Sequence, residues 1–382
     1  MKLKEIAKVQ GGYAFKSDSF VSNETPIIRI GNIVNNKVII DNDITAPIST
    51  IGDRKEFLIF KDDLLIAMSG ATVGKVGIYS FDNPSMLNQR VGNIKCDEKY
   101  KKYVFYLLQS PQFKKYVELS SIGCAQPNIS NSQIENFEFK ENSIGEIENI
   151  VRKLDNVSSL INIKKNEIEK LNILVKSQFV EMFGSKQDGF KYDKVKFNNC
   201  TESMLKGPFG SDIKKSLYVP KTADTYKVYI QINAIKKDES LGNYYISKKY
   251  FDEKMYKFEV KPLDYIVTCD GTLGKLLRLD SKMEKGIISA SLLKITLNNK
   301  INYKYFEEIW NQYMLNELSR DIRNACLTHL PSAKVIESME IPLPPLELQN
   351  KFAKFVEQVD KQKFNKVLNS LKYTEYMLKY KC

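Results

Sequence analysis

Laid over itself at an offset of about 200 residues, this chain repeats, and the repeat limits its fold more than any other feature. The run PIIRIGNI at 26–33 answers KVYIQINAI at 227–235, each a β-branched stretch whose apolar alternation is broken by polar residues, Arg29 and Asn32 in one and Gln231 and Asn233 in the other. FKDDLLIAMSGATVGKVGI at 60–78 answers VKPLDYIVTCDGTLGKLLR at 260–278, placing Asp63 on Asp264, Gly70 on Gly271, Thr72 on Thr272 and Lys75 on Lys275. CAQPNISNSQIENFEF at 124–139 answers CLTHLPSAKVIESMEI at 326–341. Features recurring in the same order indicate a duplicated domain.

Each copy is followed by a different kind of segment. Ile147, Leu154, Ile161, Ile168, Val175 and Met182 recur every seven residues, with Val151 and Phe179 on the complementary seam and Ser158, Lys165 and Asn172 interrupting it. That pattern predicts a long helix packed on a defined partner. Some 37 residues would span about 55 Å, and Gly184 supplies the stop. After the second copy, IPLPPLELQ places prolines before a helix whose apolar face carries Phe352, Val356, Val359, Phe364, Leu368, Leu371 and Leu378. The expected organisation is a first domain at 1–142, a long helix at 143–184, a second domain at 185–342 and a second long helix at 343–382. The helices are expected to pair antiparallel about a pseudo-two-fold axis, as a spacer between the domains. The plainer alternative packs each helix on its own domain.

Within the copies, KVIIDNDI, DLLIAM and GIISASLLKITL read as strands, while KKYVFYLLQSPQFKKYVELS and KYFEEIWNQYMLNELSRDI read as helices. The fold class is therefore α+β, with twisted sheets. The composition, 43% hydrophobic and 27% charged over 382 residues, is that of an ordinary soluble chain. No apolar leader or membrane-length run is present, so a cytoplasmic location in a bacterium or archaeon is expected. Six scattered cysteines and one histidine give neither a zinc pattern nor a disulfide framework.

The formal charge of +12 suits a phosphate-bearing partner. It is unevenly spread: residues 1–142 hold 18 basic and 16 acidic side chains, 143–184 hold 6 and 6, 185–342 hold 26 and 20, and 343–382 hold 8 and 4. The first domain, nearly neutral, would have to bind nucleic acid through local arrangement.

Signs of catalysis fail on inspection. GATVGK imitates a phosphate-binding loop but has three residues between its glycines instead of four, and Val76 stands where a magnesium-binding Ser or Thr belongs. DNPS at 82–85 lacks the second proline and the aromatic of an amino-methyltransferase loop, and the DEK triplets at 97–99 and 252–254 are what a lysine-rich chain produces by chance. His329 has no Ser or Cys that the sequence can place beside it.

What remains is a set of side chains of the kinds that read base edges or hold phosphates. In the first copy these are Lys16, Arg29, Asn32, Ser69, Thr72, Lys75, Asn88, Gln89, Arg90, Gln126 and Asn128. In the second they are Lys206, Ser211, Gln231, Asn233, Thr272, Lys275, Ser289, Ser291, Thr328 and His329. Singly, each could as well be a solvated turn or capping residue; together they fall on the repeated loops. The turn containing Lys75 or Lys275 is expected either to approach phosphates through its amides and lysine or simply to shape the loop.

The glycine and aromatic residues Gly12, Phe15, Gly207, Phe209 and Gly210, the repeated G-K turn, QPNIS at 126–130, IPLPPLELQ at 341–349 and KSQFVEMFG at 176–184 together resemble the specificity subunit of type I restriction-modification systems. The resemblance runs nearly end to end. It implies two target recognition domains, each reading half of a split double-stranded DNA sequence, and two spacer helices. It also implies two adenine methyltransferase subunits as partners, which hold S-adenosylmethionine, and in the full complex two restriction subunits using ATP and magnesium. No catalysis, cofactor, metal or membrane would belong to this chain. Three departures stand out. FKENSIGEIENI lacks the proline stop of the second copy, THLPS replaces QPNIS, and the final helix has no FVEMFG-like close, so an asymmetric or short spacer is expected. The rival reading is a non-enzymatic docking or recombination partner with weak or incomplete DNA recognition.

Overall fold

The computed structural model describes residues 1–16, 18, 20–120, 127–324 and 329–380. The chain divides into two compact units, one of residues 1–166 with the last helix from Lys366 onward, the other of residues 167–365. Each unit is built on two larger sheets whose strand orders match, and unit 2 adds two short ladders, Gly184–Ser185 with Gly189–Phe190 and Lys194–Lys196 with Glu340–Pro342.

In unit 1, the first sheet runs Ala7–Gly11, Val91–Cys96, Leu64–Ala67, Val76–Ile78, Lys37–Val38, Ile33–Val34. The second runs Thr45–Ala46, Thr25–Ile28, Ser85–Leu87, Leu58–Ile59, its middle pair parallel. In unit 2 the corresponding sheets run Thr201–Lys206, Leu292–Leu297, Tyr265–Thr268, Leu276–Arg278, and Tyr245–Ile246, Tyr226–Tyr229, Gly286–Ile288, Glu259–Val260, again with a parallel middle pair. The α+β duplication expected from the sequence is present.

The units differ where the first sheet of unit 1 gains its outer hairpin. Asn35 and Asn36 both take positive φ, 51° and 64°, as a two-residue hairpin turn of the primed kind requires. Unit 2 has a helix, Gln231–Lys236, at the same point in the chain.

Several sequence expectations change in detail. KVIIDNDI is strand only at Lys37–Val38, with Thr45–Ala46 forming after it. KKYVFYLLQSPQFKKYVELS is two helices, Glu98–Leu107 and Pro111–Ser120, because the residue before a proline is pushed out of the helical region. Tyr303–Ile309 and Leu315–Asn324 are joined by a π-helical turn, Trp310–Met314, in which Trp310 is fully buried and donates Nε1 to the Gly274 carbonyl at 3.0 Å. GIISASLLKITL is two strands parted at Ser289–Ser291.

The first long helix is continuous from Ile144 to Phe183. A capping box starts it where no proline does: the Ser143 amide donates to Glu146 Oε2 at 2.7 Å and the Glu146 amide to Ser143 Oγ at 3.4 Å. Gly184, at φ 83°, ends it. Its first turns pack into unit 1 through buried Ile147, Leu154 and Val157, with Tyr106 donating to Asp155 at 2.7 Å. Its last turns carry Val175, Phe179 and Phe183 into the core of unit 2. Ile161 and Ile168 between them are half-buried.

In the second long helix, Leu346–Tyr380, buried Phe352, Val356 and Val359 join the same core. Phe352 lies with ring centroids 5.6 Å from Phe179 and 5.5 Å from Phe183. Phe364, expected on this packed face, is instead 66% exposed. The seam 352, 356, 359 continues to position 363, and Phe364 sits one residue, roughly 100°, off it. The side chain of Leu371 lies outside the described residues. No described helix is long and apolar enough to cross a membrane.

Candidate nucleic-acid interface

The predicted residues meet where a central strand of each first sheet runs out. In unit 1, Leu64–Ala67 continues into Met68 and Ser69. The Met68 amide donates to the Arg90 carbonyl at 2.9 Å and the Ile129 amide to the Met68 carbonyl at 2.9 Å. The turn at 88–90 and the segment from Pro127 are thereby stitched to either side, and Ser69 faces Asn128 across an isolated antiparallel bridge.

Unit 2 builds the same seam. The Cys269 amide donates to the Ser291 carbonyl at 2.9 Å, the Leu330 amide to the Cys269 carbonyl at 2.8 Å, and Asp270 faces His329. These bonds put Ser69, Arg90 and Asn128 on Asp270, Ser291 and His329. They also shift the sequence pairing of QPNIS with THLPS by one residue, because His329 answers Asn128 and not Pro127. At the rim, Gly12 and Gly207 pass so close to the turns that an added Cβ would stand 2.3 Å from the Asn88 carbonyl oxygen and 1.9 Å from that of Ser289. Only glycine allows that approach.

Around the seam of unit 1 lie two clefts. One, of about 660 Å³, is lined by Ser69, Gln89, Arg90, Asn128, Ser130 and Asn131 among others. The other, of about 800 Å³, is lined by Arg29, Asn32, Asp41, Asn88, Gln89 and Arg90 among others. Seven predicted residues of the first copy, Arg29, Asn32, Ser69, Asn88, Gln89, Arg90 and Asn128, therefore line one open region. Ser69 Oγ and Asn131 Oδ1 are buried there without a hydrogen-bond partner among the described residues, and such groups ordinarily find one.

Thr72 and Lys75 line a third cleft, of about 850 Å³, with Asn35, Asn36, Lys114 and Glu118. The G-K turn beside it does not present an amide cradle. The amides of Gly70, Val73, Gly74 and Lys75 are spent on the carbonyls of Pro127, Gly70, Ala67 and Thr72. In unit 2 the Gly274 amide goes to the Thr268 carbonyl and the Lys275 amide to Thr268 Oγ1, at 2.9 and 3.0 Å. The turn is a structural corner that exposes Lys75 and Lys275. Its second copy is one residue shorter between the glycines, which is why the repeat offset changes within it.

Other predicted residues serve the fold. Asn32 and Asn233 are buried and equivalent, each accepting from a backbone amide three residues earlier, that of Arg29 or Ile230, at 2.8 Å. Asn233 also donates to the carbonyls of Asp238 and Leu241. This pairing sets Arg29 against Ile230, so Gln231 is not its counterpart; Gln231 is half-buried at the start of the 231–236 helix. Ser289 is buried with Oγ unpartnered among the described residues, and Ser291 is half-buried. Lys16, Lys206, Ser211 and Thr272 are exposed. Gln126 and Thr328 lie outside the described residues.

Two residues stand here that were not among the predicted contacts. Phe209 is 83% exposed beside the rim glycine, and Asp270, which the repeat itself could have flagged, holds the seam position of Ser69. Burial pushes the neighbouring Cys269 thiol up to about 12, with Lys206 opposing and Asp270 adding to the shift. A neutral, buried thiol of this kind is neither a nucleophile nor a metal ligand. No group of three or more metal-binding side chains occurs among the described residues.

The chain is similar to known proteins in sequence and, for one solved chain, in fold. The chain is 29% identical over 177 residues to the type I restriction enzyme MjaVIII specificity subunit of Methanocaldococcus jannaschii, a match covering 45% of this chain and 42% of that protein's length. A solved chain described under the complex assembly and conformational transition of the type I R-M system superposes with a TM-score of 0.55 at 12% identity, over 100% of this chain and 95% of the other. The S subunit of a type I system from M. genitalium gives 0.47 at 14% identity, over 100% and 95%. The model of the type I restriction modification DNA specificity domain matches residues 1–172 and 210–373. With most of its length so matched, the chain belongs to the type I restriction modification DNA specificity family.

Proposed function

We propose that this chain is the non-catalytic, sequence-reading subunit of a type I restriction-modification complex, in which each domain reads one half of a split DNA target. The observation that carries the reading is the doubled seam, which offers two equivalent frames with different side chains mounted on them. Exposed Arg29, Gln89, Arg90 and Asn128 in one unit, and Lys206 and His329 in the other, supply the polar and cationic groups that positioning and base reading require.

The long helices would act as the spacer that fixes the gap between half-sites, and as the dock for two adenine methyltransferase subunits. Exposed Leu160, Ile163, Ile173 and Leu174 on the first long helix support a docking role, since apolar side chains left on a helix surface gain most from being covered. S-adenosylmethionine would then belong to the methyltransferase, and ATP with magnesium to restriction subunits.

The test is a long-read methylation map of DNA from cells expressing this chain with its methyltransferase, against cells with the methyltransferase alone. A split adenine-methylated motif that appears only with this chain is expected. Stable co-purification without any new motif would sink the reading role and leave a docking protein.

A further inference from the structure

The two domains mount different chemistry at one equivalent point, and the difference is sharp. Across the seam bridge the first carries Ser69 opposite Asn128, the second Asp270 opposite His329. Asp270 Oδ1 and His329 Nδ1 are 2.6 Å apart, with side chains 33% and 61% exposed, so the pair faces solvent. A carboxylate on a surface that meets DNA is repelled by phosphates, and retaining it there needs a compensating donor. Exposed Lys206 ends the strand Thr201–Lys206 just before the rim glycine Gly207, and so brings positive charge to the rim of the same unit.

A carboxylate only accepts hydrogen bonds. On the major-groove edge, the adenine N6 and cytosine N4 amines donate, whereas guanine and thymine offer acceptors that would repel it. His329 occupies one carboxylate oxygen and so fixes the direction in which the other is presented.

We propose that Asp270, oriented by His329, accepts from the exocyclic amine of one base in the half-site read by the second domain, and that exposed Asn128, bridged to buried Ser69, holds the corresponding reading position in the first. This rests on the DNA-reading role proposed above. Asp270 is then a specificity-determining residue, and the unlike pairs let the two halves of a target differ at that position.

The experiment uses the assembled complex of this chain with its methyltransferase. Methylation maps are compared for the unaltered chain, for D270S/H329N, which installs the first domain's pair, and for S69D/N128H. D270S/H329N is expected to keep the first half-site and the gap while changing or relaxing one base pair of the second half-site; S69D/N128H should do the reverse. Duplexes carrying the mapped motif are then made with the amine at that position removed. The unaltered complex should bind them about tenfold to a hundredfold more weakly, and D270A should bind both duplexes alike.

An unchanged second half-site in D270S/H329N, with the first intact, overturns the proposal. So does a D270A complex that still senses the missing amine, a measurement that stands even if the double variant fails to assemble. A wild-type map with no motif would count against the functional reading instead.

Discussion

The first and second domains share a backbone frame and differ in what stands on it. Sheet order, parallel middle pair and seam bonds coincide, yet a hairpin at Ile33–Val38 in one is a helix at Gln231–Lys236 in the other. Strand register sets Pro26 against Lys227. Lys227 is 1% exposed, and its ammonium donates to the carbonyls of Glu239 and Ser240 at 2.7 and 3.1 Å. Burial pulls that ammonium below its ordinary range, against the opposing influence of Glu284. Backbone bonds are indifferent to side-chain identity, so a frame made of them survives while loops and surface groups diverge.

The strongest way to break this comparison is to attack the shared rim. Gly207→Ala must displace the Ser289 carbonyl and should destabilise its domain by about 3 kcal/mol, with Gly12→Ala doing somewhat less in the other domain. Chemical denaturation of each variant, followed by hydrogen exchange to localise the loss, checks this; if either alanine is accepted without cost, the common frame at that turn is wrong. Lys227→Met sharpens the contrast. It leaves two carbonyls without their donor and should cost the second domain about 1–3 kcal/mol, while hydrogen exchange in the first domain stays unchanged. The smallest effect is expected at the corners. Lys75→Ala and Lys275→Ala should each weaken DNA binding for all sequences and shallow its salt dependence by about one phosphate. A sequence-dependent loss in a salt titration would instead make these lysines base readers.

How much of this was legible beforehand depends on the range of the interaction. The stop at Gly184 is local and was read from the sequence, whereas the capping box of Ser143 and Glu146, just as local, was found only in the structure. The heptad residues at its ends, Ile147, Leu154, Val175 and Phe179, are buried, because helical period alone decides which side chains share a face. Phe364 was misjudged by a single residue of phase. Asn32 and Asn233 look like base readers in a list of residue types, and only their bonds to backbone amides show them holding the loop. Asp270 went unnoticed because an acid is an unexpected member of a DNA-facing set.

The sequence by itself determined the duplication, the α+β alternation and the two long helices, since these are written in order, period and residue type. Tertiary structure alone decided which polar residues surround one region and which are spent inside, how the G-K turn uses its amides, and that Asp270 and His329 stand where Ser69 and Asn128 do. Those are facts of hydrogen bonding between segments some 60 residues apart, such as Asp270 and His329, and no local pattern encodes a partner at that distance.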